Sequence, residues 1–226
     1  MIAELKKVTK TYKVGDQEIT ALQATDFTLN AGELTLIIGP SGSGKTTLLS
    51  LLGCVIYPSS GDLYVTEKYV NEMNAKQLAE LRLRNIGFVF QQFNLLAPLS
   101  AEDNIAMPLK MLGMSGSEIK KRVAAALELV KMTDRRKNLP RQMSGGQQQR
   151  IAIARALVTD PQLVLCDEPT ASLDKDSLEI VMTELRNLAK QGKSVAVVTH
   201  DPRLKIYADR AVEVKNGVVT EVDLDH

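Results

Sequence analysis

Residues Gly39-Pro40-Ser41-Gly42-Ser43-Gly44-Lys45-Thr46 fit the pattern G-x-x-x-x-G-K-[ST], and what flanks them restricts the fold. The apolar run Leu34-Thr35-Leu36-Ile37-Ile38 precedes the loop and reads as a buried strand; Thr47-Leu48-Leu49-Ser50-Leu51-Leu52 follows it and reads as a helix. Strand, glycine-rich turn and helix are the setting in which this pattern cradles phosphates. The glycines let backbone N–H groups turn inward where a side chain would block an oxygen. The start of the helix adds the positive end of its dipole. Gly39, Ser41, Gly42, Ser43, Gly44, Lys45, Thr46 and Thr47 are therefore candidates for holding the phosphates of a nucleoside triphosphate. Lys45 would reach the β- and γ-phosphates, and Thr46 would hold Mg²⁺.

The rest of the chain alternates strands and helices around that unit. Residues 1 to about 30 read as antiparallel strands, with a turn at Gly15-Asp16. Asn74 can cap a helix over Ala75 to Arg84, and Ile86 to Phe90 is a second buried strand ending at Gln91. From Phe93 to about Asp160 the pattern is mostly helical, with Ile119, Val123, Leu127 and Val130 on one apolar face. Leu163 to Glu168 is a third buried strand closed by two acids and Pro169. A helix from about Asp176 to Lys190 follows, then the strand Ser194 to Thr199, which delivers His200, and a hairpin turning at Lys215-Asn216-Gly217. Such alternation predicts a largely parallel α/β sheet, with ligands beyond the carboxyl ends of its strands. The phosphate loop, Gln91, Asp167, Glu168 and His200 are then expected to converge on one phosphate site.

Composition narrows the function classes. Of the 226 residues, 44% are hydrophobic and 24% charged, with 28 Lys and Arg against 27 Asp and Glu. A net charge of +1 supplies no global pull toward nucleic acid or anionic lipid. The longest apolar runs fall far short of the roughly 20 residues that span a bilayer, and the first residues lack the pattern of a signal peptide. The expectation is a cytoplasmic protein that meets a membrane only through a partner. Cys54, placed late in the first helix, and Cys166, inside a strand, read as buried hydrophobes, and the spacing of His200 and His226 makes no zinc site. The basic run Lys131 to Arg141 reads as a solvated surface.

The residues gathered at the strand ends suit phosphoryl transfer to water. Asp167 suits the Mg²⁺ shell, since a hard cation prefers carboxylate oxygen. Glu168 can polarise the attacking water, Gln91 can ligate Mg²⁺ or hold water, and His200 can donate to the γ-phosphate. Ser144-Gly145-Gly146-Gln147 opens another helix and is a second anion-binding terminus, away from the first phosphate loop. Two such ends for one nucleotide point to a dimer in which each chain closes its serine–glycine turn on the other's triphosphate; a plain helix start is the alternative. Tyr12 reads locally as a half-buried strand residue, with an aromatic platform for a base as the alternative.

Taken in order, Gly39 to Thr46, Gln91, Met143 to Gln147, Leu163 to Glu168, Ser172-Leu173-Asp174 and His200 resemble the full motif set of ABC transporter ATPase subunits, across essentially the whole chain. The resemblance implies a RecA-like P-loop core with an antiparallel β-subdomain and an α-helical subdomain at about residues 92–160, all in one ABC ATPase domain, 1–226. It implies ATP and Mg²⁺ as cofactors, Tyr12 as the adenine-stacking aromatic, and Gln91 as the Q-loop. Ser144, Gly145, Gly146 and Gln147 match the signature, Ser172, Leu173 and Asp174 a D-loop at the dimer interface, and His200 the switch histidine. It further implies a head-to-tail homodimer with two ATP at its interface. Gly87 to Leu96, Ser144 to Arg150 and Thr199-His200-Asp201-Pro202 are similar to the LolD, MacB and FtsE class, whose subunits drive a MacB- or FtsX-type integral membrane permease. The resemblance implies a chain at the inner face of the cell membrane, the ATP-hydrolysing subunit of a transporter or mechanotransmission complex that couples ATP-driven dimerisation to movement of the permease, for export or extraction of an antibiotic, peptide, lipid, lipoprotein or haem. The signature begins with Met143 where leucine is usual. A soluble ABC ATPase acting outside transport is the rival reading; coiled-coil insertions or zinc modules, which often mark that group, are not visible here.

Overall fold

Strands built from Val, Ile and Leu without polar alternation must be covered on both faces. The computed structural model, which describes residues 1–171 and 173–224, sets β3 (Leu34–Ile38), β6 (Ile86–Val89), β7 (Leu163–Asp167) and β8 (Ser194–Thr199) in a parallel array. β9 (Arg210–Lys215) joins β3 in parallel, and β10 (Val218–Val222) folds back on β9 as the hairpin. The order is β10-β9-β3-β8-β7-β6, so the strand before the phosphate loop lies inside the sheet.

Each strand divides its side chains between two cores. Leu34, Leu36, Val164, Cys166, Val195 and Val197 face one; Ile37, Leu163, Leu165, Ala196 and Val198 face the other. The second core also holds α1 (Lys45–Leu52), through Leu48, Leu51 and Leu52, and the antiparallel sheet of β1 (Ala3–Val14), β2 (Gln17–Leu29), β4 (Ser60–Val65) and β5 (Lys68–Tyr69), ordered β2-β1-β4-β5. α2 (Ala75–Asn85) adds Leu78 and Leu81 and is capped reciprocally by Asn74 and Gln77. The first core is built with α3 (Ala101–Met111), α4 (Gly116–Leu129), α5 (Gly145–Leu157) and α6 (Lys175–Lys190). α1 and α5, the helices behind the two anion-binding turns, therefore lie against opposite faces of the parallel sheet. Both cysteines are buried and free; burial pushes the Cys54 thiol up to about 12 and Cys166 higher still, so neither is a ready nucleophile.

Three details differ from the sequence reading. α1 ends at Leu52 and the chain turns left-handed at Cys54, φ +54°, so Cys54 lies beyond the helix; Gly53 between them packs where a Cβ would stand 2.2 Å from the Phe88 ring. Helix does not begin at Phe93: Phe93 and Asn94 take φ of +56° and +49°, and α3 starts only after its cap, Ser100. The basic run is exposed as expected, yet Arg136 and Lys137 both pair with Glu102 and tie that segment to α3. Burial acts to raise the Glu102 pKa, but Lys137 and Arg136 outweigh it and hold the carboxyl below its ordinary range.

A close joint between strand and helix backbone is at Gly87 in β6, where an added Cβ would meet the Ala156 carbonyl oxygen of α5 at 2.4 Å and Pro161 Cγ at 3.1 Å. Backbone cannot give way as a side-chain tip can. We expect Gly87→Ala to destabilise the protein by ~1–3 kcal/mol, as overpacking typically does, read as a lower midpoint in denaturant unfolding with an unchanged slope.

Candidate active site

In a parallel sheet the strands finish along one edge, and the register here brings those ends level. Ile38 pairs with Thr199, Asp167 with Val198, and Val89 with Cys166. The phosphate loop, His200, the Asp167-Glu168 pair and the Gln91 segment thus leave four adjacent strands at one edge.

The loop itself has no slack. Gly39 has φ +149°, and a Cβ there would stand 2.2 Å from the Val214 carbonyl oxygen; Gly44 has φ +112°, and a Cβ would stand 2.5 Å from the Ala21 carbonyl oxygen. Only glycine satisfies both conditions at these positions. Lys45, buried at the start of α1, donates from Nζ to the carbonyl oxygens of Gly39 and Pro40 at 2.8 Å each. The ammonium therefore sits across the mouth of the loop. Ser43 is 4% exposed, and its hydroxyl finds no hydrogen-bond partner among the described residues. A buried hydroxyl without a partner is costly, and a phosphate oxygen in the loop would supply one. Ser41, Gly42 and Thr46 are exposed, and Gly44 and Thr47 are half-buried.

At the neighbouring strand end, Glu168 has φ +47°, a conformation that costs a non-glycine residue free energy and marks functional sites. Its N–H donates to the Val198 carbonyl at 2.9 Å, which locks β7 to β8 two residues before His200. The Glu168 carboxylate lies 2.7 Å from His200 Nδ1. That contact leaves Nε2 of a largely exposed imidazole facing outward. Asp167 is raised above its ordinary carboxylate range, by burial first and then by the charge of Glu168, while Lys45 pulls the other way. Asp201, just after His200, is held low chiefly by Arg203, which donates to it at 2.6 Å.

Among the described residues no group of three or more His, Cys, Asp or Glu side chains could hold a metal ion by itself. The donors at this edge are a threonine hydroxyl, a glutamine amide and one carboxylate, all oxygen. This set suits Mg²⁺, which binds through one or two carboxylates together with substrate phosphates and water.

Tyr12 lies on β1 opposite Ile19 of β2, with Val14 near by; the three are 39%, 50% and 60% exposed. Ile19 is two residues along β2 from Ala21, whose carbonyl abuts Gly44. The Lys10 ammonium stands 5.2 Å from the Tyr12 ring centroid. Gln91 is exposed, two residues past β6, and has no hydrogen bond to the other strand-end groups among the described residues. Ser144 caps α5: its Oγ accepts from Gln147 N–H at 3.3 Å, and Gln147 Oε1 accepts from Ser144 N–H at 3.0 Å. Gly146 packs so closely that a Cβ would be 3.1 Å from Ser177 Oγ and 3.7 Å from Leu173 Cδ2. Asp174 caps α6 by accepting from Ser177 N–H at 2.9 Å, and Leu173 packs on the first core. Ser172 lies outside the described residues. A group the sequence reading missed is Arg155, which contacts the segment after Gln91; its signal was a lone charge in the apolar series Ile151 to Val158.

Comparison with known proteins bears on this geometry directly. Residues 22–171 match the family model described as ABC transporter. An uncharacterized ABC transporter ATP-binding protein of Methanocaldococcus jannaschii, MJ0796, is 44% identical over 96% of this chain and 94% of its own length. Macrolide export ATP-binding/permease proteins MacB are also similar, 43% identical in Photorhabdus laumondii and 42% in Chlorobaculum tepidum. This chain covers 96% of itself in those matches but spans only 33% of the MacB proteins. The solved MJ0796 cassette, dimeric in a post-hydrolysis state bound to ADP and Pi, matches with a TM-score of 0.92 and 41% identity over 100% of both chains. The strand edge, the two anion-binding turns and these relatives agree: the chain belongs to the ABC transporter family, as an ATP-hydrolysing cassette with the RecA-like ABC fold and of the MacB-like class.

Proposed function

We propose that this ATPase works as a homodimer in which ATP is held between the phosphate loop of one copy and the Ser144 turn of the other, and that the dimer drives a membrane permease. The observation that carries the reading is the level register of the four strand ends, with Glu168 and His200 in contact across two of them.

In this reading Gly39 to Thr47 surround the triphosphate, and Lys45 leaves the Gly39 and Pro40 carbonyls for phosphate oxygens. Tyr12 stacks on adenine, with Val14 and Ile19 extending its apolar face. Thr46, Asp167 and Gln91 hold Mg²⁺, which supplies charge neutralisation at the β- and γ-phosphates. Glu168 takes the proton of the attacking water. His200, oriented through Nδ1 by Glu168, donates from Nε2 to the γ-phosphoryl group. α1 and α5 lie on opposite faces of the sheet, which favours Ser144 to Gln147 serving a second copy's ATP rather than their own chain's. That MJ0796 was solved as a dimer supports the same arrangement. Ser172, Leu173 and Asp174 would lie at the contact between copies. The whole chain would act as one ABC ATPase domain, with α3 to α5 inside a helical subdomain of about residues 92–160.

The partner follows from a surface and from the relatives. A groove of about 460 Å³ runs between α2, β6 and α3, lined by Val55, Arg82, Phe88, Phe90, Pro108 and Met111. It adjoins the Gln91 segment through Phe90 and leaves Val55 and Met111 exposed. An apolar cleft of this kind fits a helix of a permease. No helix among the described residues is long and apolar enough to cross a membrane. The MacB proteins carry the words ATP-binding and permease in one name and are three times as long as this match, so we infer a separate MacB- or FtsX-type permease holding this chain at the inner face of the membrane.

Three tests follow from these roles. Glu168→Gln is expected to lower kcat by roughly 10²–10⁴-fold and to accumulate an ATP-bound dimer in sedimentation; turnover at the wild-type rate would remove Glu168 as the base. Ser144→Arg and Lys45→Ala should each be inactive alone, while their equimolar mixture regains at most one working site per dimer. Full activity of either alone contradicts a shared site. Asp167→Asn should lose Mg²⁺-dependent turnover yet unfold at a higher temperature than wild type in nucleotide- and metal-free buffer at neutral pH. Burial and Glu168 raise the Asp167 pKa, so its ionised form costs native stability above that pKa. The cost vanishes once the carboxyl is protonated in both folded and unfolded chains, so the advantage of asparagine should close as pH falls through the carboxylate range.

A further inference from the structure

The segment that carries Gln91 holds an unfavourable shape. Phe93 and Asn94 are consecutive residues with φ of +56° and +49°, neither of them glycine. Left-handed backbone is disfavoured for any residue with a Cβ, and more so for a bulky one such as phenylalanine. Within the segment Phe93 N–H donates to the Phe90 carbonyl at 3.1 Å, and a partner from outside adds to that hold.

That partner is Arg155. Its two terminal nitrogens donate separately to the two left-handed residues: one to the Asn94 carbonyl at 2.6 Å, the other to the Phe93 carbonyl at 2.8 Å. The planar fork of a guanidinium meets two adjacent acceptors in a way that a lysine ammonium does not. Burial disfavours the charge on Arg155, so the two carbonyls are also what makes its position tolerable. Arg155 stands eleven residues from Ser144 on the same uninterrupted helix, roughly 16 Å along its axis. The end of α5 that bears Arg155 is seated on β6 at Gly87, and the end that bears Ser144 is packed against Ser177 at Gly146. Arg155 also lines the apolar groove beside Phe88 and Phe90, which stack at 5.5 Å.

We propose that Arg155 is a positioning residue of the ATPase cycle: it holds the loop after β6 in the backbone shape that presents Gln91, and it ties that loop to α5 so that Gln91, the groove and the Ser144 turn move together. The inference rests on the proposed role of Gln91. Arg155 touches neither nucleotide nor metal in this assignment. Its loss should therefore leave ATP capture by Lys45 and Tyr12 intact while misplacing the group at the γ-phosphate.

The test compares Arg155→Ala, Arg155→Lys and Gln91→Ala with wild type in steady-state ATP hydrolysis. Backbone amide exchange is measured over residues 91–95 and over α1. For Arg155→Ala we expect kcat to fall about ten- to a hundredfold, the range a displacement of about 1 Å can produce, with KM for ATP within about twofold of wild type. Exchange should quicken in residues 91–95 and stay unchanged in α1, and millimolar guanidinium ion should recover part of kcat. If Arg155→Ala does not fold, Arg155→Lys decides: it keeps the charge but replaces the planar fork of two nitrogens by a single point donor on a shorter reach, so a reduced kcat with unchanged KM supports the proposal. Wild-type kcat in the Arg155 variants while Gln91→Ala is impaired would overturn the role of Arg155 alone. Wild-type kcat in Gln91→Ala would overturn the reading of Gln91, and with it the route assigned to Arg155. A fall in thermal stability with kcat per folded molecule unchanged would make Arg155 a structural residue and overturn the proposal.

Discussion

A parallel sheet buried on both faces leaves its chemistry at its ends. β3, β6, β7 and β8 are largely apolar, and each stops within one residue of its neighbour. The polar groups of the site lie at that edge or just past it: Asp167 ends β7, Glu168 and His200 are the first residues beyond β7 and β8, Gln91 is the second beyond β6, and Lys45 follows the loop after β3. Lys45, Asp167, Glu168, His200 and Gln91 are in this sense products of one constraint: the hydrophobic cores on both faces set the register, and the register sets the site. A slip of one residue in any strand would exchange its two faces between the cores as well as move its catalytic end. Stability and activity are thus coupled through the same backbone.

The charges at that edge are arranged against one another and await a more negative guest. Lys45 is engaged with loop carbonyls, Asp167 is destabilised by burial and by Glu168, the Ser43 hydroxyl lacks a partner, and Glu168 holds a costly backbone conformation. In the proposed function a triphosphate and its cation would give Ser43 a partner, take up Lys45 and neutralise Asp167. A site prepared in this way needs little reorganisation when substrate arrives, which is the condition for electrostatic catalysis. The second anion-binding turn, at Ser144, is prepared by a capping box, yet lies on a helix that packs the opposite face of the sheet. In the proposed dimer a single chain supplies both halves of a nucleotide clamp, with the sheet between the helices that carry them.

Local chemistry made much of this legible from the residues alone. The phosphate loop announces itself because only glycine fits Gly39 and Gly44, and the buried strands because they lack any polar face. The Asn74 and Ser144 caps follow from short hydrogen bonds within four residues. What was not legible depends on contacts distant in sequence. Gly53, just past α1, packs against the Phe88 ring, thirty-odd residues on, and the irregular path through Phe93 and Asn94 is met by Arg155, some sixty residues on. The placement of β3 between β8 and β9 is a matter of topology that no local window contains. The basic run at Arg136 and Lys137 was read correctly as surface, but its pairing with Glu102 required α3 to be placed first.

The account stands on one spatial claim, that the triphosphate is enclosed by two copies of the chain. A structure of the Glu168→Gln protein with Mg²⁺ and ATP measures it most directly. The account predicts the γ-phosphate between Lys45 and Thr46 of one copy and Ser144 to Gln147 of the other, with Nε2 of His200 turned toward it. A triphosphate bound by the loop of one chain with its outer side open to water, or closed by Ser144 of the same chain, would contradict it.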